Sequence, residues 1–170
     1  MRIGLLSDTH DRVPAVAELL RRFKEGGVDL VMHAGDHCAP FSMLPFRDLD
    51  LPLLGVFGRN DGDRDGLVAM AATLPAGGEL FESPHSHDVG GHGVLLVHDL
   101  AEANPRSLES HQVIVYGCSH HAEMRERGGT LLVNPGEACG WLHGVPTGAI
   151  LDLTARRVEF LKLEEPEWRT

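Results

Sequence analysis

Ile3-Gly4-Leu5-Leu6-Ser7-Asp8-Thr9-His10 is an apolar run that ends abruptly in a carboxylate and an imidazole two residues apart. A short apolar run reads as a buried strand. Side chains at i and i+2 of a strand point the same way, so Asp8 and His10 can grip one cation. Asp-x-His alone is weak, because a chain with eleven His yields roughly one by chance. Repetition strengthens it. Leu30-Val31-Met32-His33-Ala34-Gly35 ends in Asp36, Leu95-Leu96-Val97 ends in His98, and Val115-Tyr116-Gly117 ends in Cys118-Ser119-His120. In open sheets, sites form beyond the carboxyl ends of the strands, where all four ends can meet. Mixed carboxylate and imidazole ligation suits manganese, iron, nickel, cobalt or zinc without choosing among them.

The elements around these runs give the fold class. Val13, Val16, Ala17, Leu20 and Phe23 lie at helical spacing over 13–24, with Asp11 as a cap and Pro14 in the first turn. An irregular helical piece over 41–49 is interrupted by Pro45. Leu53 to Phe57 is a third strand, ending at Gly58-Arg59-Asn60-Asp61, and 67–74 is a short helix. Alternating strands and helices imply parallel strands covered by helices. The second half changes character. Short strand-like runs occupy 80–81, 94–97, 113–116, 124–127, 131–133, 149–153 and 158–163. Gly90-Gly91 and Gly128-Gly129 supply hairpin turns between some of them. Only 101–111 reads as a helix there, limited by Pro105. The expectation is two facing sheets with helices outside, the second sheet mostly antiparallel, in a single domain over 1–170. The tail from Glu164 to Thr170 reads as a loosely held end.

Composition narrows the partners. With 42% hydrophobic and 24% charged residues the chain is of the globular class. A net charge of -10 works against diffuse binding to nucleic acid or anionic membrane, which needs clustered Lys and Arg. Three cysteines, Cys38, Cys118 and Cys139, are odd in number and scattered, which is no disulfide framework. A reducing cytoplasm is the expected home. No run reaches the eighteen or so apolar residues a membrane span needs, and no leader pattern opens the chain. A homo-oligomer is compatible with the composition.

The order of motifs resembles the calcineurin-like metallophosphoesterases, in particular their small single-domain bacterial and archaeal phosphodiesterase branch. The resemblance runs from Ser7-Asp8-Thr9-His10 through His33-Ala34-Gly35-Asp36 to Asn134-Pro135-Gly136-Glu137-Ala138-Cys139-Gly140. It implies a four-layer α-β-β-α sandwich of two mixed β-sheets flanked by helices. It further implies two divalent metals, the first among Asp8, His10, Asp36 and His120, with Asp36 bridging to the second. Ions about 3.5 to 4 Å apart acidify a shared water and hold phosphate oxygens during in-line displacement. The implied reaction is hydrolysis of a small phosphoester, a phosphodiester above all.

The second metal position departs from the family pattern. Family members carry Gly-Asn where this chain has Gly58-Arg59, with Asn60 one residue late. They carry Gly-His-x-His in place of Gly117-Cys118-Ser119-His120, and usually His-Gly-His in place of His98-Asp99-Leu100. Three readings stay open. Asn60 and Cys118 complete the second site with His98, where a thiolate favours a softer ion such as zinc. Alternatively, Arg59 stands in for the second ion and grips phosphate through its planar fork, leaving a one-metal enzyme. In the last, hydrolysis is weak or lost and the fold is a ligand- or protein-binding module, as in the metallophosphoesterase-like subunit of retromer. The expected catalytic residues are Asp36, Arg59, Asn60 and His98.

Plainer roles compete at several positions. Asp8 and Asp36 can cap helices, and His33, inside an apolar run, reads as a hydrogen-bonded core residue. His85, His87 and His92 read as exposed loop residues, and His121 should face away from His120. Nothing in the spacing requires His143 to reach the cleft. Cys38 and Cys139 read as small buried residues, and Asn134-Pro135-Gly136 as a tight turn. Asp61 and Asp63 are either solvated or hold Arg59.

Overall fold

The computed structural model describes residues 1–164. Strand β1 (Arg2–Leu6) lies inside a sheet, parallel to β2 (Leu30–His33) and antiparallel to β10 (Thr147–Asp152). Its alternation decides the layering. Ile3 and Leu5 face a core shared with Val94, Leu96, Val113, Val115, Leu131 and Val133. Leu6 faces the opposite way, onto Val16, Leu19, Leu20 and Phe23 of helix α1 (Val13–Glu25). Both faces are apolar, as strands buried on two sides require.

The first sheet continues through β3 (Leu53–Val56) and β4 (Gly78–Phe81) on one side and β11 (Arg157–Lys162) on the other, in the order β11-β10-β1-β2-β3-β4. Besides α1, its outer face carries a 3-10 segment (Pro40–Asp48) and helix α2 (Arg64–Ala72), which bury Met43, Phe46, Leu67 and Ala71. The second sheet takes β5 (His85–Val89), β6 (His92–Val97), β7 (Val113–Tyr116), β8 (Ala122–Arg127) and β9 (Thr130–Pro135), ordered β5-β6-β7-β9-β8. Here too the faces alternate. Val94 and Leu96 turn to the inter-sheet core, whereas Leu95 and Val97 turn outward beneath Leu100, Ala103 and Leu108. The four-layer α-β-β-α arrangement of two mixed sheets follows.

Four local expectations need correction. The second sheet is mixed, because β6-β7 and β7-β9 pair in parallel, and the β10-β11 hairpin completes the first sheet instead. The helix over 101–111 is two pieces, a 3-10 turn (Leu100–Glu102) and α3 (Pro105–Ser110). Pro105 disfavours helical backbone at the preceding residue, so Asn104 is extended (ψ 157°) and caps α3 through Ser107 N–H. Asp11 does not cap α1, whose N-cap is Arg12; its carboxylate accepts from Ala39 N–H at 2.9 Å. His85 and His87 lie on β5 and His92 opens β6, so none is in a loop, and the His85 ring stacks on Phe81 at 3.9 Å. The tail beyond Glu164 lies outside the described residues. Among them, no helix is long and apolar enough to cross a membrane.

Candidate metal centre

The chain turns sharply as β1, β2 and β7 end. Asp8 (φ 52°), His10 (φ 38°), Asp36 (φ 61°), Cys118 (φ 65°) and His120 (φ 62°) all adopt left-handed backbone. Non-glycine residues there cost on the order of 1–3 kcal/mol each and persist only where their surroundings fix them. Asp8 N–H donates to the Gly35 carbonyl (3.0 Å) and His10 N–H to the Asp36 carbonyl (3.1 Å), locking the first two strand ends together. Two glycines let the others approach. A Cβ on Gly58 would overlap the Asp36 carboxylate, and one on Gly117 would overlap the Ser7 hydroxyl.

Five of the expected residues then meet. Asp8 Oδ2 accepts from Ser7 Oγ (2.6 Å) and Cys118 N–H (3.1 Å). Its Oδ1 is buried without a hydrogen-bond partner among the described residues, 3.4 Å from His120 Nε2 and 3.9 Å from His10 Nε2. His10 Nε2 is likewise buried and unpartnered, 3.6 Å from Asp36 Oδ2. That Asp36 oxygen is also 3.5 Å from His98 Nε2, so it stands between two imidazoles. Buried polar atoms are nearly always paired. A converging carboxylate oxygen and imidazole nitrogen without partners fit a divalent cation.

The remaining ring nitrogens are spoken for. His98 Nδ1 donates to the Ala34 carbonyl (2.7 Å) and His120 Nδ1 to Glu137 Oε2 (2.9 Å), which leaves each Nε2 with its lone pair toward the cleft. Burial pushes the Asp8 carboxyl above its ordinary pKa, over the opposing Ser7 hydrogen bond. Burial also works to raise Asp36. There the Asn60 amides and the His98 and His10 imidazoles outweigh it, and Asp36 lies below its ordinary value. Glu137 is lowered too, because donors from His120, His143 and Leu142 overcome its burial.

The altered side is arranged differently. Asn60 gives both its backbone N–H and its side-chain Nδ2 to the Asp36 carboxylate, each at 2.8 Å. Arg59 reaches Asp99 in an ion pair, and Cys118 Sγ lies 3.8 Å from the same Asp99 oxygen. Neither Asp61 nor Asp63 holds Arg59. Asp61 is buried and accepts from the Gly58, Cys38 and Asp36 amides, while Asp63 caps α2. His33 is the core histidine expected, bonded to Thr9 and the Gly35 amide. His121, expected to face away from His120, packs against His143, ring centroids 4.3 Å apart, and lines the same surface pocket as His120 and Glu137.

Sequence spacing reveals neither Glu137 as the partner of His120 nor Cys139 as a third donor beside His10 and His120. The ligand atoms of His10, His120 and Cys139 lie within 4.8 Å of one another, as do those of Asp8, His10 and Asp36. Burial pushes the Cys139 thiol up to about 12. The 134–140 turn was the available signal: Ala138 and Cys139 N–H donate to the Ser7 and Asp8 carbonyls, pressing that turn against the end of β1.

Known proteins share this fold. The calcineurin-like phosphoesterase superfamily domain matches residues 1–156. A phosphodiesterase of Methanocaldococcus jannaschii is 29% identical over 167 residues, 96% of this chain and 100% of that protein. The solved structure of an archaeal phosphodiesterase superposes with a TM-score of 0.86 at 28% identity, covering 96% of this chain and all of that one. Two more distant structures share the fold. A phosphoesterase from E. coli has a TM-score of 0.69 at 18% identity, covering 95% of this chain and 98% of that one. Zinc-bound Vps29 of Entamoeba histolytica has a TM-score of 0.64 at 19% identity, covering 96% and 98%. The chain belongs to the calcineurin-like phosphoesterase superfamily and is, by that family, a hydrolase of ester bonds.

Proposed function

We propose that this protein is a metal-dependent phosphodiesterase whose second metal position has been rebuilt. The observation that carries the reading is the pair of buried, unpartnered ligand atoms, Asp8 Oδ1 and His10 Nε2, facing His120 and Asp36. The name of the M. jannaschii relative supports a phosphodiester as the ester cleaved. A divalent ion, when bound, supplies Lewis-acid polarisation of the phosphate and activation of water. Asp8, His10, Asp36 and His120 would hold it, with Glu137 orienting His120 and the Ala34 carbonyl orienting His98. Asn60 fixes the Asp36 carboxylate through two hydrogen bonds.

On the other side, the Arg59 guanidinium is exposed and shares its charge with Asp99. Asp99 holds the guanidinium beside Cys118, which favours one resident ion with Arg59 assisting the phosphate over a second ion on Asn60 and Cys118. Bis(p-nitrophenyl) phosphate hydrolysis, followed with manganese and with zinc alongside metal content, tests both points. The expected result is turnover with about one ion per chain, and loss of turnover in Asp36→Asn. Two ions per chain would restore Asn60 and Cys118 as ligands of a second site. A folded sample that shows no turnover with either ion would make the protein a binding module on a phosphoesterase fold.

A further inference from the structure

Trp141 stands at the edge of this cleft, 60% exposed yet held in place. The Arg12 guanidinium lies over one face of the indole, 4.1 Å from a ring centroid, and itself donates to the Cys139 carbonyl. The indole Nε1–H reaches the backbone carbonyl of His10 at 3.4 Å. The backbone that follows is pinned as well. Leu142 and His143 N–H groups donate to the Glu137 carboxylate at 3.0 and 2.6 Å, and the same carboxylate accepts a hydrogen bond from His120 Nδ1–H. The ring is therefore tied to two cation-facing histidines, His10 through its own N–H and His120 through Glu137.

An indole in water without a role would be free to turn. This one is fixed, with one face covered by a cation and most of its remaining surface open beside the phosphate-binding cleft. Leu142, 69% exposed, extends the apolar surface next to it. A rigid aromatic binds a flat partner with little ordering cost, because the entropy is already spent in the free protein. Bases stack on aromatic side chains whatever their identity, since each has a π-face.

We infer that Trp141 is a stacking platform for the base of a small nucleoside phosphodiester, which is the substrate class of the cleft. This rests on the phosphodiesterase reading and narrows it. The net charge of -10 argues against a nucleic-acid chain as the partner, since each added phosphate beyond the cleft meets repulsion. A mononucleotide-sized ester places its phosphate in the cleft and its base on the indole.

Calorimetric titration of the manganese-loaded protein with AMP and with ribose 5-phosphate isolates the base, because the two ligands share sugar and phosphate. AMP should bind about 5- to 100-fold more tightly. Trp141→Ala should bring that ratio near 1, Trp141→Phe should keep most of it, and the saturable quenching of tryptophan fluorescence by AMP should vanish in Trp141→Ala. A ratio near 1 in the wild type, or one unchanged in Trp141→Ala, overturns the platform. Bis(p-nitrophenyl) phosphate hydrolysis by the same samples separates the failures. Turnover with a ratio of 1 removes the platform alone, and absence of both turnover and binding removes the phosphodiesterase reading with it.

Discussion

Asp8 is expensive to keep in the metal-free protein. Its carboxylate is fully buried, burial raises its pKa, and one oxygen has no partner among the described residues. A buried acceptor left unmade costs about 1–3 kcal/mol. Asp8→Asn keeps the oxygen that accepts from Ser7 and Cys118 and puts an N–H₂ opposite His120 Nε2, 3.4 Å away. In chelator the variant should therefore melt higher than the wild type, by about 2–4 °C for each kcal/mol recovered. In manganese the order should reverse. The wild type gains about 2.7 kcal/mol at a hundredfold excess over Kd and the variant little. Differential scanning fluorimetry with and without manganese reads both; a variant that melts lower in chelator would mean that Asp8 is satisfied in the metal-free state. The sequence exposes this residue because a charge after four apolar positions is conspicuous. Glu137 and Cys139 were hidden because no spacing links them to Asp8, and only the packing of one turn on β1 does.

Each candidate ligand sits just past the end of a strand, so the site inherits its geometry from the sheets. β1 and β2 deliver Asp8, His10 and Asp36, β6 delivers His98, and β7 delivers Cys118 and His120. Close approach of the β1 and β7 ends depends on Gly117, where a side chain would meet Ser7 Oγ and then Asp8 Oδ2 at 2.9 Å. Gly117→Ala should cost on the order of 1–3 kcal/mol in urea unfolding, as overpacking does, and should weaken manganese binding in a calorimetric titration. Adding Ser7→Ala should recover part of the stability, a coupling expected of two groups in contact. Strict additivity of the two changes would show that the strands do not touch there. These strand ends are legible because an apolar run stops in a polar group. β5 is not, since only Val89 of its five residues is buried; its pairing with β6 makes it a strand, and pairing partners are not written in local composition.

At the scale of the molecule, two sheets meet face to face and their carboxyl ends open on one rim. The two-sheet plan is readable from the change of pattern between the halves of the chain. That β10 and β11 return to the first sheet is not, because β1 and β10 are joined by a pairing between residues nearly the full chain apart. The return matters for the site: it places the 134–140 turn, which leads from β9 toward β10, against the end of β1. Everything proposed for chemistry depends on that rim holding an ion. The direct check is diffraction from manganese-soaked crystals recorded above the manganese absorption edge. An anomalous peak should lie enclosed by Asp8, His10, Asp36 and His120, within about 2–2.6 Å of their ligand atoms. No peak at that position, or one only at the His85–His87 pair, would refute a metal-centred phosphoesterase.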